Sequence, residues 1–194
     1  FATLRMAADR GVSIGAHPGY ADRLGFGRRV IPMSPDEIAR MVAAQVGALQ
    51  GVAALAGARV RYVKAHGALA NLAVQALPGG LAILAISGTE LERAGLAAGL
   101  PTFSEIFADR AYLPNGRLVP RSRPDAMIHG AKAAADRLIG FLGSGLMPVV
   151  GGDPIPLAAQ SICVHGDGPE AVAMAVEVRA RLQAAGVVLA PFLR

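Results

Sequence analysis

The clearest indication of fold class is an apolar run that leads directly into a helix-opening motif, Leu81-Ala82-Ile83-Leu84-Ala85-Ile86-Ser87-Gly88-Thr89-Glu90. An uninterrupted apolar run bounded by turn residues is typical of a strand that is buried on both faces. The motif Ser-Gly-Thr-Glu then opens a helix that we expect to reach Ala98. A buried strand that passes through a short turn into a helix is the repeating unit of a parallel α/β sheet.

Similar strand–helix units stand on either side of this stretch. The hydrophobic pattern predicts further strands at 12–16, 60–64, 102–107, 146–150 and 160–164. It predicts helices at 1–10, 34–57, near 71–77, and at 87–98, 130–142 and 169–185. The clearest helix start is Ser34-Pro35-Asp36-Glu37, which combines an N-cap, a proline in the first turn and a capping box. Strand and helix repeated about five times predict parallel strands joined by right-handed crossovers, in an open sheet or a barrel.

Composition limits the function classes. The 194 residues, of which 53% are apolar and 17% charged, predict one domain with a sizeable core. The net charge is +5, yet the 19 basic residues are scattered and aromatic residues make up 5%, so we expect no nucleic-acid partner. Glycine and proline interrupt the long apolar runs, so we expect no membrane-spanning helix. Cys163 stands alone, which excludes an internal disulfide and favours a reducing cytoplasm.

Titratable side chains follow the predicted strands at their carboxyl ends. They are His17, Lys64, His66, Glu105, Asp109, Arg110, His165 and Asp167. In parallel α/β folds these strand ends share one edge of the sheet, and the loops there form the ligand site. The sequence therefore predicts a site for a small molecule, with groups that can transfer protons, bind an anion or hold a metal ion.

Two candidates in the first half of the chain have a structural alternative. A backbone carbonyl could satisfy His17, as in many buried histidines. Lys64 could be an ordinary surface lysine rather than a point charge for a carboxylate or phosphate.

The nearby Gly25-Phe26-Gly27 lacks the third glycine and the preceding strand of a dinucleotide-binding site, and the sequence has no phosphate-binding loop of the GKS or GKT type.

The candidates in the second half also have two interpretations. Glu105 stands among apolar residues, so it must be functional or paired, with Arg110 or Lys64 as partner, because a lone buried charge is costly. Asp109 and Arg110 could form a pair that stabilises their loop. His165 and Asp167 flank a glycine and could act as base and orienting group, or as metal ligands.

Five sequence blocks, taken in order, resemble those of one known family. The blocks are Ile14-Gly15-Ala16-His17-Pro18-Gly19-Tyr20, Gly25-Phe26-Gly27-Arg28-Arg29, Val63-Lys64-Ala65-His66-Gly67-Ala68-Leu69, Glu105-Ile106-Phe107-Ala108-Asp109-Arg110-Ala111-Tyr112 and Cys163-Val164-His165-Gly166-Asp167. Together they resemble the LamB/YcsF family. The resemblance implies a distorted (β/α) barrel of the glycoside hydrolase/deacetylase type, formed by residues 1–194 as a single domain that is incomplete at the N-terminus and lacks its first strand or strands.

The resemblance also implies a function. It indicates the A component of an ATP-dependent 5-oxoprolinase, which works with B and C subunits to open 5-oxoproline to L-glutamate at the expense of ATP. The implied catalytic residues are Glu105 and Asp167, of which one serves as base for the attacking water, and His66 and His165, which move protons or ligate a metal. The implied groups for binding substrate and phosphate are Lys64, Arg110 and Asp109. His17 is the expected ligand of a divalent metal. Such a metal would be a second cofactor beside ATP, and the resemblance leaves its presence and identity open.

The sequence departs from the family pattern in four respects. Ala65 and Ala70 stand where the family has proline and tyrosine. The family's opening strand, Asn-Cys-Asp-Leu-Gly-Glu, and its Cys-Gly-Phe-His-Ala-Gly-Asp block are absent. The chain starts at Phe1 in a predicted helix, so we expect it to begin inside a longer protein. Two alternatives remain open beside the 5-oxoprolinase: a metal-dependent deacetylase or amidase that acts alone, and a non-catalytic scaffold subunit.

Overall fold

The computed structural model describes residues 1–71, 80–166 and 171–193. These residues form two compact units. The first comprises Phe1–Phe103 and the end of the chain from Pro191, and the second comprises Ser104–Ala190. The boundary between them falls inside a strand, β4 (Thr102–Phe107).

The first unit alternates helices and strands as the sequence predicts. Its elements before β4 are α1 (Ala2–Asp9), β1 (Ile14–Ala16), α2 (Pro35–Leu55), β2 (Val60–Val63), a 3₁₀ turn (Gly67–Asn71), β3 (Ala82–Ile86) and α3 (Glu90–Ala97). Strands β1 and β2 pair in parallel, and β2 pairs in parallel with β3. The predicted α/β class with parallel strands is therefore confirmed in this unit. The short helix predicted near 71–77 lies, beyond residue 71, outside the described residues.

Helix α2 begins where its capping box predicts. The Ser34 hydroxyl accepts from the Glu37 amide, and the Glu37 carboxylate accepts from the Ser34 amide at 2.8 Å, so two otherwise unpaired donors at the helix start are satisfied. Val42 and Val46 lie on one face of the helix and are buried in the core. By length and composition alone α2 is apolar enough to cross a membrane, contrary to the expectation from the sequence, and both core helices of soluble proteins and signal sequences share this property.

Gly15 in β1 has no room for a side chain. A Cβ there would overlap the ring of Tyr62, its register partner in β2, and that ring packs edge-on against Phe192 with a centroid distance of 5.1 Å. We therefore expect Gly15→Ala to lower the free energy of unfolding by about 1–3 kcal/mol, the usual cost of overpacking. Urea unfolding of the whole chain measures this change.

The matched control is Gly47→Ala in α2, where a Cβ meets nothing within 4 Å. Because alanine favours helix, this control should unfold with unchanged or up to about 1 kcal/mol higher free energy. Equal stability of Gly15→Ala and the parent chain would contradict the packing argument.

The second unit also joins parallel strands through helices. After β4 it contains α4 (Ala131–Ser144), β5 (Leu146–Met147), β6 (Ile155–Pro156), β7 (Ser161–Cys163) and α5 (Ala171–Ala184). Strand β4 pairs in parallel with β7, in a register that places Glu105 opposite Ser161 and Phe107 opposite Cys163. Helices α4 and α5 pack against each other, with Leu138 and Leu182 buried.

The strand predicted at 146–150 is interrupted. Leu146–Met147 pairs antiparallel with Ile155–Pro156 in a two-stranded ribbon. Pro148 follows at once, and proline has no backbone N–H with which to continue a ladder. Val149 then forms an isolated parallel bridge with Tyr112, whose carbonyl accepts from the Val150 amide at 2.8 Å. The predicted continuous strand is therefore divided by the proline into two short segments that pair in opposite directions.

Candidate functional site

In the first unit, the ends of β1 and β2 bring two histidines together. The ladder continues past both strands, since the Lys64 amide donates to the Ala16 carbonyl at 2.9 Å and the His66 amide donates to the Pro18 carbonyl at 2.8 Å. This continuation places the His17 and His66 rings edge-to-face, with a centroid distance of 4.8 Å. His17 is exposed and His66 is half-buried, so the pair borders solvent.

The two imidazoles form a chain of three contacts. His17 Nδ1 lies 2.7 Å from the Lys64 carbonyl oxygen, and His66 Nε2 lies 2.7 Å from the Phe26 carbonyl oxygen. A carbonyl only accepts, so each of these outer nitrogens carries a hydrogen. The inner nitrogens, His66 Nδ1 and His17 Nε2, are 2.9 Å apart. They either share one proton or direct two lone pairs at one cation.

This donor set fits a divalent metal in its chemistry. Neutral imidazole is a good ligand for zinc, copper, iron and nickel, and a ligating histidine usually donates its other N–H to a carbonyl, as both do here. Within residues 1–71, 80–166 and 171–193, no group of three or more His, Cys, Asp or Glu side chains lies close enough to hold a metal ion. The metal role predicted for His17 therefore stays a prediction, and His66 is the imidazole that the structure places beside it.

Lys64 takes part in this cluster through its backbone. Its carbonyl accepts from His17, and the side chain is half-buried at the end of β2. The backbone carbonyl that the sequence suggests as a partner for His17 is therefore that of Lys64, and His17 also contacts His66. The predicted role of the Lys64 ammonium in anion binding stays a prediction.

In the second unit, β4 and β7 bring Asp109 and His165 together. His165 Nδ1 lies 2.8 Å from each oxygen of the Asp109 carboxylate, and the imidazole stacks on Phe107 with a centroid distance of 5.3 Å and an interplanar angle of 19°. Asp109 is 5% exposed. Burial would raise the pKa of Asp109, but the hydrogen bond and the charge of His165 outweigh burial and hold that pKa below its ordinary value. An ionised Asp109 thus keeps the hydrogen of His165 on Nδ1 and leaves Nε2 for proton transfer.

The structure adds a contact that the sequence does not predict. The resemblance implies that Asp109 binds substrate, and the sequence offers His165 and Asp167 as base and orienting group or as metal ligands. In the structure Asp109 supplies a carboxylate to His165 across 56 positions of sequence. Asp167 lies outside the described residues, so its role stays a prediction.

Arg137 and Tyr112 hold the end of β4, a role that the sequence does not predict for either residue. Arg137 Nη2 donates to the carbonyls of Phe107 and Ala108 at 2.6 and 2.8 Å, and the Tyr112 hydroxyl accepts from the Phe107 amide at 3.0 Å. Burial raises the pKa of Tyr112 to about 12, so this phenol stays neutral. The two side chains fix the backbone that carries Asp109. Arg137 lies in the middle of a helix pattern, where nothing in the sequence marks it as different from a surface arginine.

Glu105 and Arg110 are both buried, at 3% and 6% exposed. Glu105 sits within β4, as predicted. The Arg110 guanidinium donates from Nε to the Ala126 carbonyl at 3.3 Å and from Nη2 to the Val119 carbonyl at 2.6 Å. These bonds give Arg110 a part in holding the chain between Val119 and Ala126, and its expected role in binding an anion stays a prediction.

Comparison with known proteins gives a consistent result. The sequence matches the LamB/YcsF family along residues 1–194. It is 49% identical to the A component of the 5-oxoprolinase of Azorhizobium caulinodans over 199 residues, which cover 96% of this chain and 79% of that protein. It is 46% identical to the A component of the 5-oxoprolinase of Gluconobacter oxydans, over 95% of this chain and 78% of that protein.

A solved structure is similar as well. The crystal structure of the lactam utilization protein from Thermus thermophilus superposes with a TM-score of 0.86 at 36% identity, over 97% of this chain and 81% of that one. This similarity confirms the fold class predicted from the sequence, and the sequence matches confirm the predicted resemblance.

Proposed function

Because this chain belongs to the LamB/YcsF family, we propose that it is the A component of an ATP-dependent 5-oxoprolinase. In this proposal the substrate is 5-oxoproline, the product is L-glutamate, and B and C subunits are its partners. The reaction takes place in the cytoplasm, where ATP is available. The observation that carries the proposal is the Asp109–His165 pair at the end of β4, because opening an amide ring needs a group that accepts a proton from water and returns it to nitrogen.

The chemistry requires activation of the lactam before water attacks. The carbonyl oxygen takes the γ-phosphoryl group of ATP and ADP leaves, which converts an unreactive amide into an electrophile. Water adds to the ring carbon, the C–N bond breaks as the nitrogen gains a proton, and a second water molecule releases phosphate. His165, oriented by Asp109, takes the proton from the attacking water and returns it to the departing nitrogen.

The first-unit residues have complementary roles in this proposal. The Lys64 ammonium binds the carboxylate of 5-oxoproline, because a lysine is a compact point charge for such a group. The inner nitrogens of His17 and His66 hold either a proton or a divalent metal ion. Such an ion would supply Lewis-acid polarisation of a bound oxygen. Glu105 and Asp167 keep their predicted roles as further candidates for the base.

Reconstitution tests the proposed function. The chain is purified alone and together with B and C subunits from one organism, and glutamate and ADP are measured with 5-oxoproline, with and without ATP. We expect glutamate and ADP in equal amounts only when all three subunits and ATP are present. Glutamate formed by the chain alone without ATP, and abolished by a chelator, would establish the metal-dependent amidase instead. Full turnover by the B and C subunits without this chain would show that the chemistry belongs to those subunits and that this chain is non-catalytic.

The role of Glu105 is tested by Glu105→Gln in the reconstituted complex. If this carboxylate is the base, removing its charge should lower kcat by about 10²-fold or more, within the range that general base catalysis contributes. The control is Glu177→Gln in α5, which removes a carboxylate that pairs with Arg181 at the surface of the same unit. Full turnover by Glu105→Gln would leave Glu105 with a structural role.

A further inference from the structure

The loop between residues 22 and 29 is closed by one buried carboxylate. Asp22 is 7% exposed, and its Oδ1 accepts from the Gly25 amide at 2.9 Å. Its Oδ2 accepts from Arg29 Nε at 2.9 Å, and a second guanidinium nitrogen, Nη2, also bonds the carboxylate. The backbone carbonyl of Asp22 accepts from the Gly27 amide at 2.9 Å. Donation by Arg29 lowers the pKa of Asp22 to about 2, so the carboxylate is ionised wherever the protein functions.

The motif Gly25-Phe26-Gly27 is shaped by this carboxylate. A Cβ on Gly25 would overlap the Asp22 carboxylate and Arg29, so only glycine fits there. Phe26 has a φ of +54° and Gly27 a φ of +65°, both in the left-handed region. For phenylalanine this conformation is strained, and strain of this kind persists only where surrounding contacts enforce it.

The consequence of this loop conformation appears at His66. The Phe26 carbonyl lies 2.7 Å from His66 Nε2, and the Gly27 carbonyl accepts from the Ala68 amide at 3.0 Å. The loop therefore presents an acceptor to one nitrogen of His66, and that nitrogen must carry the hydrogen. The other nitrogen, Nδ1, is then the one that faces His17.

We propose that Asp22 is a positioning residue for His66. By binding Gly25 and Arg29 it holds the Phe26 carbonyl against Nε2 of His66, and so keeps Nδ1 of His66 directed at His17. The proposal rests on the proposed function only in treating His66 as a residue of the site. It gives the Gly25–Arg29 segment, which lacks the glycine pattern of a dinucleotide-binding site, a role in setting the hydrogen position on an imidazole.

Nitrogen NMR of the histidine side chains tests the proposal. The full chain is labelled with ¹⁵N-histidine, and His66 is assigned by comparison with the His66→Gln spectrum. We expect a slowly exchanging Nε2–H signal for His66 in the parent chain. In Asp22→Ala this signal should be lost to exchange with water, and the Nδ1 and Nε2 resonances should move toward each other as both tautomers become populated.

Matched variants separate this role from general loosening of the loop. Phe26→Gly keeps the carbonyl and tolerates a positive φ, so it should retain the Nε2–H signal although the aromatic ring is gone. The Arg28 guanidinium lies over the Phe26 ring, and Arg28→Gln should also retain the Nε2–H signal. Arg29→Gln removes the guanidinium donors to Asp22 but keeps the hydrogen bond from the Gly25 amide, so it should weaken the Nε2–H signal. If Asp22→Ala does not fold, the result for Arg29→Gln tests the positioning role of Asp22.

A protected Nε2–H signal in both Asp22→Ala and Arg29→Gln would overturn the proposal. Turnover of the reconstituted complex is measured for the same variants. An inactive parent complex with the expected NMR result would refute the proposed function and leave Asp22 as a positioning residue. An active complex in which the His66 signal is unchanged by the Asp22 substitution would support the proposed function and refute the positioning role of Asp22.

Discussion

Replacing Asp109 by asparagine should lower kcat of the reconstituted complex by about 10²- to 10⁴-fold, which is the usual contribution of general acid–base catalysis. The carboxylate accepts the His165 Nδ1–H with both oxygens at 2.8 Å, so it holds the imidazole in one tautomer and balances the charge that forms when Nε2 takes a proton. An asparagine amide is neutral, and by donating from its nitrogen it can stabilise the opposite tautomer. Steady-state kinetics with 5-oxoproline measures the loss, which should appear in kcat rather than in KM.

The control for this substitution is Asp125→Asn. Asp125 is a carboxylate of the same unit that pairs with the half-exposed Arg123, so its removal changes the net charge equally. Turnover of this variant should equal that of the parent. Parent-level turnover by Asp109→Asn would refute the assignment of the Asp109–His165 pair to proton transfer.

The same carboxylate predicts how stability depends on pH. The pKa of Asp109 is lowered in the folded chain, so its stabilising contribution is complete above the ordinary pKa of an aspartate and is lost as the pH falls through the lower folded value. In urea unfolding followed from neutral to acid pH, Asp109→Asn should therefore lose less stability on acidification than the parent chain does.

Replacing His66 by glutamine has the second large expected effect, a loss of kcat of about 10²-fold or more. Glutamine can still donate an N–H toward the Phe26 carbonyl, so the loop contact can persist while the basic nitrogen that faces His17 is removed. The loss should therefore come from the chemistry and not from unfolding, which thermal denaturation of the same variant checks.

The control is His129→Gln. His129 also precedes a glycine in an apolar context, but it is exposed at the start of α4. Its replacement should leave turnover unchanged. If His66→Gln were as active as His129→Gln, the His17–His66 pair would have no part in the reaction.

The sequence predicted the elements where local chemistry decides them. The capping box at Ser34 and Glu37 starts α2, and the apolar run of β3 is buried as expected. The strand at 102–107 has the predicted bounds. The strand predicted at 146–150 is interrupted at Pro148, because proline fits the apolar pattern of a buried strand but has no backbone N–H to donate to the ladder.

The sequence also predicted the types of residue at the strand ends, but not their partners. His17 and His66 are 49 positions apart, and His165 and Asp109 are 56 apart, so no periodicity connects them. The sequence suggests Asp167, two residues from His165, as a partner, whereas the contact of the buried Asp109 with His165 is evident only in the structure.

Residue order alone thus determined the alternation of strand and helix, the family, and the stretches of chain that supply imidazoles and carboxylates. These depend on short-range patterns of burial, capping and turn formation. Only the tertiary structure decided that Asp109 contacts His165, that Arg110 bonds to backbone carbonyls, and that the Phe26 carbonyl of the loop closed by Asp22 contacts His66. The physical reason is that a hydrogen bond is directional and acts over about 3 Å. Its partners are chosen by the packing of segments that are distant in sequence.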